Sequence, residues 1–113
     1  MLSSENSEKR KQWLNKKPVR ITDWIEEEGQ VRLKVIKFKS KFGIWLCKLI
    51  KKPNYFFVNL DEIGSFIWKK CDGKNKVGEI LEELKEKYGG EKMEERLYIF
   101  LKMLERAGYI KYE

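Results

Sequence analysis

A chain of 113 residues has room for a single hydrophobic core. Its 25 Lys and Arg against 18 Asp and Glu give a formal +7, and 38% charged with 42% hydrophobic residues exclude a disordered tail. Apolar runs stop at three or four residues, as in Tyr55-Phe56-Phe57-Val58, too short for a transmembrane helix. Residues 1–20 hold no apolar signal region, so a cytoplasmic protein is expected. The inventory is equally restrictive for chemistry. With no histidine, Ser-His and Cys-His nucleophile pairs and histidine-based zinc sites cannot be built. Cys47 and Cys71 have no CxxC partner and read as reduced, buried, small hydrophobes. No Walker A or G-x-G-x-x-G loop occurs, so no enzyme activity, metal or cofactor is expected.

In chain order, residues 1–19 read as a flexible basic arm, polar and non-periodic, with Lys9-Arg10-Lys11 and a single Trp13. A domain over residues 20–113 follows. Ile21 to Ile25 and Val31 to Phe38 flank Glu26-Glu27-Glu28-Gly29-Gln30, which predicts a β-hairpin with Val31, Leu33 and Val35 on one face. From Lys41 to Lys52 the period becomes helical. Phe42, Trp45, Leu46, Leu49 and Ile50 form one stripe among Lys41, Lys48, Lys51 and Lys52, and Pro53 closes the segment. Such a basic amphipathic helix can dock on its own domain, on a partner through Lys41, Trp45, Lys48 and Lys52, or weakly on an anionic membrane surface.

Tyr55-Phe56-Phe57-Val58-Asn59 is the clearest strand, aromatic and β-branched. Asp61 then caps a helix through Ile63, Phe66, Ile67 and Cys71, with Gly64 marking a close approach and Asp72-Gly73 a turn. A second helix carries Val77, Ile80, Leu81, Leu84 and Tyr88 on one face and stops at Gly89-Gly90. The third, from about Lys92 to Ala107, has the stripe Met93, Leu97, Phe100, Leu101 and Leu104, and Tyr109 to Tyr112 is a short extended end. The fold class expected is therefore α+β and winged helix-turn-helix-like. A small antiparallel three-stranded sheet is followed by a three-helix trio, with an extra amphipathic helix between strands 2 and 3.

A winged helix invites a DNA reading, and a winged-helix transcription regulator is the alternative function. The charge distribution weighs against it. Residues 1–60 hold 14 Lys and Arg against 6 Asp and Glu, or +8, whereas residues 61–113 hold 11 against 12, or −1. A recognition helix must approach phosphates, and this one carries Glu94, Glu95 and Glu105. Beside its buried stripe lies a flank of Arg96, Ile99 and Met103. That flank either completes packing against the sheet or stays open as one wall of a groove, whose other side would be a strand edge able to receive an extended peptide.

The ordered series Val58-Asn59-Leu60-Asp61-Glu62-Ile63-Gly64-Ser65-Phe66-Ile67-Trp68, Cys71-Asp72-Gly73, Val77-Gly78-Glu79-Ile80 and Leu104-Glu105-Arg106-Ala107-Gly108-Tyr109-Ile110 resembles the PqqD family across residues 20–112. The resemblance implies a non-catalytic peptide-binding adaptor or chaperone, similar to the recognition elements of ribosomal peptide modification. Such a domain holds the leader of a precursor peptide by strand addition and presents it to a radical-SAM-type enzyme. Carried over by position, the peptide-binding residues are Tyr55, Phe56, Phe57, Val58 and Asn59 on the edge, with Arg96, Ile99 and Met103 as the wall. Two departures stand out. Lys76 replaces the family's Thr, which leaves Asn75 as cap candidate, and the segment Lys41 to Lys52 is longer than the family's usual turn. Pyrroloquinoline quinone synthesis in particular is not implied, and a strand-mediated homodimer stays an open alternative.

Overall fold

The computed structural model describes residues 4–113. Among them the chain is α+β, with five helices, a two-stranded antiparallel sheet and a three-stranded antiparallel sheet. In place of one core there are two compact units. One is Thr22–Ser65; the other joins the two chain ends, Met1–Ile21 and Phe66–Glu113.

The contiguous unit is built on a hairpin. β1 having been formed earlier in the chain at Pro18–Arg20, the hairpin consists of β2 (Trp24–Glu27) and β3 (Gln30–Ile36). Its two-residue loop places Glu28 at φ 52° and Gly29 at φ 83°, the twisted geometry that suits a tight antiparallel connection. β4 (Tyr55–Asn59) pairs with the other side of β3, Leu33 opposite Val58 and Lys34 opposite Phe57, giving the order β2-β3-β4. The alternation expected for β3 holds at Val31 and Leu33, which are fully buried, while Val35 is half-buried. Ser65 fastens the start of β3, its hydroxyl accepting from the Val31 N–H at 2.9 Å and donating to the Leu60 carbonyl at 3.3 Å.

Between β3 and β4 lies α2 (Lys41–Leu49), capped by Ser40, whose hydroxyl accepts from the Gly43 N–H. Its seating differs from the periodicity reading. Gly43 and Cys47 are the buried positions, while Phe42, Trp45 and Leu49 are 69%, 55% and 61% exposed. Gly43 makes this contact available, because a Cβ there would stand 2.4 Å from the Phe38 Cβ. The large side chains set the periodicity, but the two smallest ones on the helix allow the close approach.

α3 (Glu62–Lys70) starts as expected, with the Asp61 carboxylate accepting from the Gly64 N–H at 2.7 Å. It runs on into the second unit, which contains α4 (Val77–Tyr88), α5 (Met93–Arg106) and β5 (Ile110–Tyr112). Ile67, Trp68, Cys71, Val77, Ile80, Leu84, Leu97, Leu101 and Ile110 form its buried interior. α4 packs on α5, and the Phe66 and Tyr88 rings meet edge to face at 5.7 Å. Asn75 does not cap α4. Its amide is taken up by Asp72 and the Lys70 carbonyl, and the Glu79 carboxylate instead accepts from the Lys76 N–H at 3.0 Å.

The segment read as a mobile arm contains α1 (Ser4–Leu14) and β1; its first three residues lie outside the described ones. α1 packs on α4, where Gly78 leaves room for the Leu14 carbonyl. Arg10 donates twice to Glu94 at 2.7 Å, and Trp13 meets Tyr98 edge to face at 5.3 Å. β1 pairs antiparallel with β5, Val19 opposite Lys111. Arg20 then donates to the Trp68 and Lys69 carbonyls, satisfying acceptors at the end of α3.

Candidate functional site

The strand singled out by sequence, Tyr55 to Asn59, is an edge. Among the described residues no strand pairs with its far side. Which of its backbone groups face outward follows from the register. Lys37 donates to the Asn54 carbonyl at 3.1 Å and Leu60 to the Val31 carbonyl at 2.9 Å, so the hydrogen-bonded positions toward β3 alternate as Asn54, Phe56, Val58 and Leu60. The N–H and C=O groups of Tyr55, Phe57 and Asn59 therefore point at the open edge. Three donors and three acceptors in an extended row form a template for one more strand.

The side chains of the same three residues share a face of the sheet with Arg32 and Lys34 of β3. Arg32 lies 4.7 Å from the Phe57 ring centroid and Lys34 4.5 Å from that of Tyr55, while the Tyr55 and Phe57 rings meet edge to face at 5.7 Å. Arg32 also donates to Asn59 Oδ1 at 2.8 Å. This face is aromatic and cationic, held in place by its own contacts. An extended peptide at the edge would meet it with alternate side chains, and acidic ones find Lys34 there beside Arg32, which already pairs with Glu27 at 3.4 Å.

In the other unit the flank expected on α5 is exposed. Ile99 and Met103 are 57% and 58% accessible, so they do not complete the interior, and Arg96 is exposed beside them. The site residues predicted for the edge and for the flank thus lie in different units, Tyr55 to Asn59 in one and Arg96, Ile99 and Met103 in the other. Lys41, Trp45, Lys48 and Lys52 are all exposed on or just after α2.

Sequence reasoning passed over an open cleft between α1 and α5, of about 620 Å³, lined by Lys9, Arg10, Trp13, Lys92, Glu94, Glu95 and Tyr98. The lone Trp13 in a polar segment was its one trace. The Arg10 guanidinium, chiefly by hydrogen bonding, holds the Glu94 carboxyl below the usual range. Burial pushes the Cys71 thiol up to about 12, and its Sγ contacts the Ile67 carbonyl oxygen at 3.3 Å, which suits a packed side chain better than a nucleophile. Both cysteines are buried and free. Among the described residues no three His, Cys, Asp or Glu side chains gather where they could hold a metal ion. No described helix is long and apolar enough to cross a membrane.

Comparison with curated proteins and with solved structures finds no match. A protein family does match, over residues 51–110, from just before β4 to the start of β5. The hairpin and α2 lie ahead of the matched region, so the resemblance read across residues 20–112 is shown for residues 51–110. The match takes in the open edge strand, the capped helix after it, and α4 and α5. Over more than half its length, then, this chain belongs to the PqqD family, described as coenzyme PQQ synthesis protein D.

Proposed function

We propose that this protein is a non-catalytic adaptor, winged-helix-like in its helical trio. It holds the leader part of a ribosomally made precursor peptide and presents it to a modifying enzyme of the radical-SAM type. Family membership makes it a peptide-binding partner in peptide modification. The observation that carries the reading to particular residues is the unpaired edge of β4, with Tyr55, Phe57 and Asn59 offering their backbone groups outward. Backbone pairing gives affinity with little demand on sequence, and side-chain contacts supply selectivity. In this reading the leader lies antiparallel or parallel to Tyr55–Asn59 as an added strand. Arg96, Ile99 and Met103, exposed on α5 of the other unit, are a further candidate contact that the family resemblance suggests. Arg32 and Lys34 favour acidic leader residues, and that attraction weakens with salt.

The test is an NMR titration of the whole protein with the precursor peptide encoded beside its gene. Shifts clustered at residues 55–59 and 96–103 support the assignment. Shifts elsewhere, or saturable binding of a DNA duplex through Lys92, Lys102 and Arg106 in its place, refute it.

A further inference from the structure

The surface of α2 is used neither by the fold nor by the peptide site. Phe42, Trp45 and Leu49 follow one another at i, i+3 and i+7, and at 100° per residue their mean direction lies roughly 150° from the Gly43–Cys47 line that seats the helix. All three are more than half exposed, and the Phe42 and Trp45 rings touch at 5.9 Å. Sequence adds a second observation. Between Glu28 and Asp61 the chain has no carboxylate at all, but it has Arg32 and seven lysines, of which Lys37, Lys39, Lys41, Lys48, Lys51 and Lys52 surround α2. An aromatic stripe projecting from a field of uncompensated positive charge is complementary to an apolar layer beneath negative charge.

We infer that α2 seats this protein on an anionic lipid surface, lying in the plane of the interface with Phe42, Trp45 and Leu49 inserted and the lysines among the headgroups. Two features of the lysines favour a bilayer over a protein partner, and the aromatic pair is compatible with it. Every cation from residue 37 to 52 is Lys, a type depleted from protein interfaces, where Arg is preferred. Lys also bends its ammonium up to headgroup level while its stem stays in the apolar layer. Trp and Phe side by side suit the interfacial zone, where an apolar ring body meets water. A nine-residue helix is about 13 Å long, too short to span and long enough to lie flat. The anchor is weak and reversible. Each Lys near an anionic surface contributes roughly a fivefold gain in affinity, and salt screens it. The peptide-binding edge uses other residues, so the adaptor can hold its leader while resting on the surface.

The experiment is flotation of the full-length protein with vesicles of phosphatidylcholine alone or with about 30% phosphatidylglycerol. At roughly 0.1 M salt it should rise with the anionic vesicles only, and this should be lost at roughly 0.5 M. Phe42→Ser and Trp45→Ser should each weaken vesicle binding about tenfold, and Lys48→Gln and Lys52→Gln about fivefold. Titration with the precursor peptide should be unchanged in all four variants, so that failure here is separable from failure of the adaptor reading. No flotation of the unaltered protein, or flotation indifferent to these variants, overturns the inference. Loss of binding to the modifying enzyme in the same variants, without vesicle binding of the parent, assigns the face to a protein and also overturns it.

Discussion

Proline at position 57 separates strand addition from every other use of β4. The Phe57 N–H faces away from β3, so Phe57→Pro leaves the ladder bonds of Phe56 and Val58 in place, and an edge strand tolerates proline on its solvent side. The same change removes the central donor of the template and puts a pyrrolidine ring in the path of an incoming strand. It also deletes the ring that meets Tyr55 and Arg32, so the proper reference is Phe57→Ala, which loses those contacts but keeps the N–H. Aromatic pairing contributes about 1 kcal/mol of stability, and both variants should lose that much. The missing hydrogen bond costs the complex about 1 kcal/mol net, and steric exclusion adds to it, so the proline variant should bind the precursor peptide at least about tenfold more weakly than the alanine variant. Calorimetric titration measures the affinities and thermal denaturation the stabilities. Equal affinities for the two variants would refute pairing at this edge.

Gly43→Ala should destabilise the protein by about 1–2 kcal/mol in chemical denaturation, because crowding against Phe38 outweighs the gain in helix propensity. A stabilised variant would mean that α2 is seated differently. Met103→Glu should leave the melting temperature nearly unchanged, since the side chain is exposed, yet weaken peptide binding clearly, because a carboxylate must be desolvated in the complex. Cys71 should resist a thiol reagent at pH 8 until the protein is unfolded, its thiol being pushed up to about 12 by burial; labelling monitored by mass spectrometry checks this. The carboxyls of Asp72, held low by the Asn75 and Lys74 N–H groups, and of Glu94, held low by Arg10, contribute stability that is complete above their unfolded pKa values and lost as pH falls through the folded ones. Melting temperature should therefore fall below about pH 4, and less steeply in Asp72→Asn and Glu94→Gln.

Much of this protein was legible in one dimension because the signals concerned are local. The stripes Val77-Ile80-Leu81-Leu84 and Met93-Leu97-Leu101-Leu104 became the buried faces of α4 and α5, since apolar side chains one helical turn apart have a single side on which to leave water. Asp61 announced α3 because a carboxylate just ahead of a helix reaches its first free N–H groups. Alternation named the buried face of β3 at Val31 and Leu33, and an aromatic run named β4 from Tyr55 to Asn59.

What depends on contacts between distant residues was decided only by the tertiary structure. α1 has almost no apolar periodicity, and its tethers are single residues: Arg10 on Glu94, 84 positions away, and Trp13 on Tyr98. β1 is three residues long and exists as a strand because β5 and the turn at residues 71–73 supply its hydrogen-bond partners. On α2 the sequence showed an apolar stripe but not which side would be covered. Backbone approach is limited by the smallest side chains, so Gly43 and Cys47 took the contact and the aromatic residues were left outside. The outward set Tyr55, Phe57 and Asn59 likewise followed from the register with β3, because a strand's two edges are equivalent until a neighbour occupies one of them.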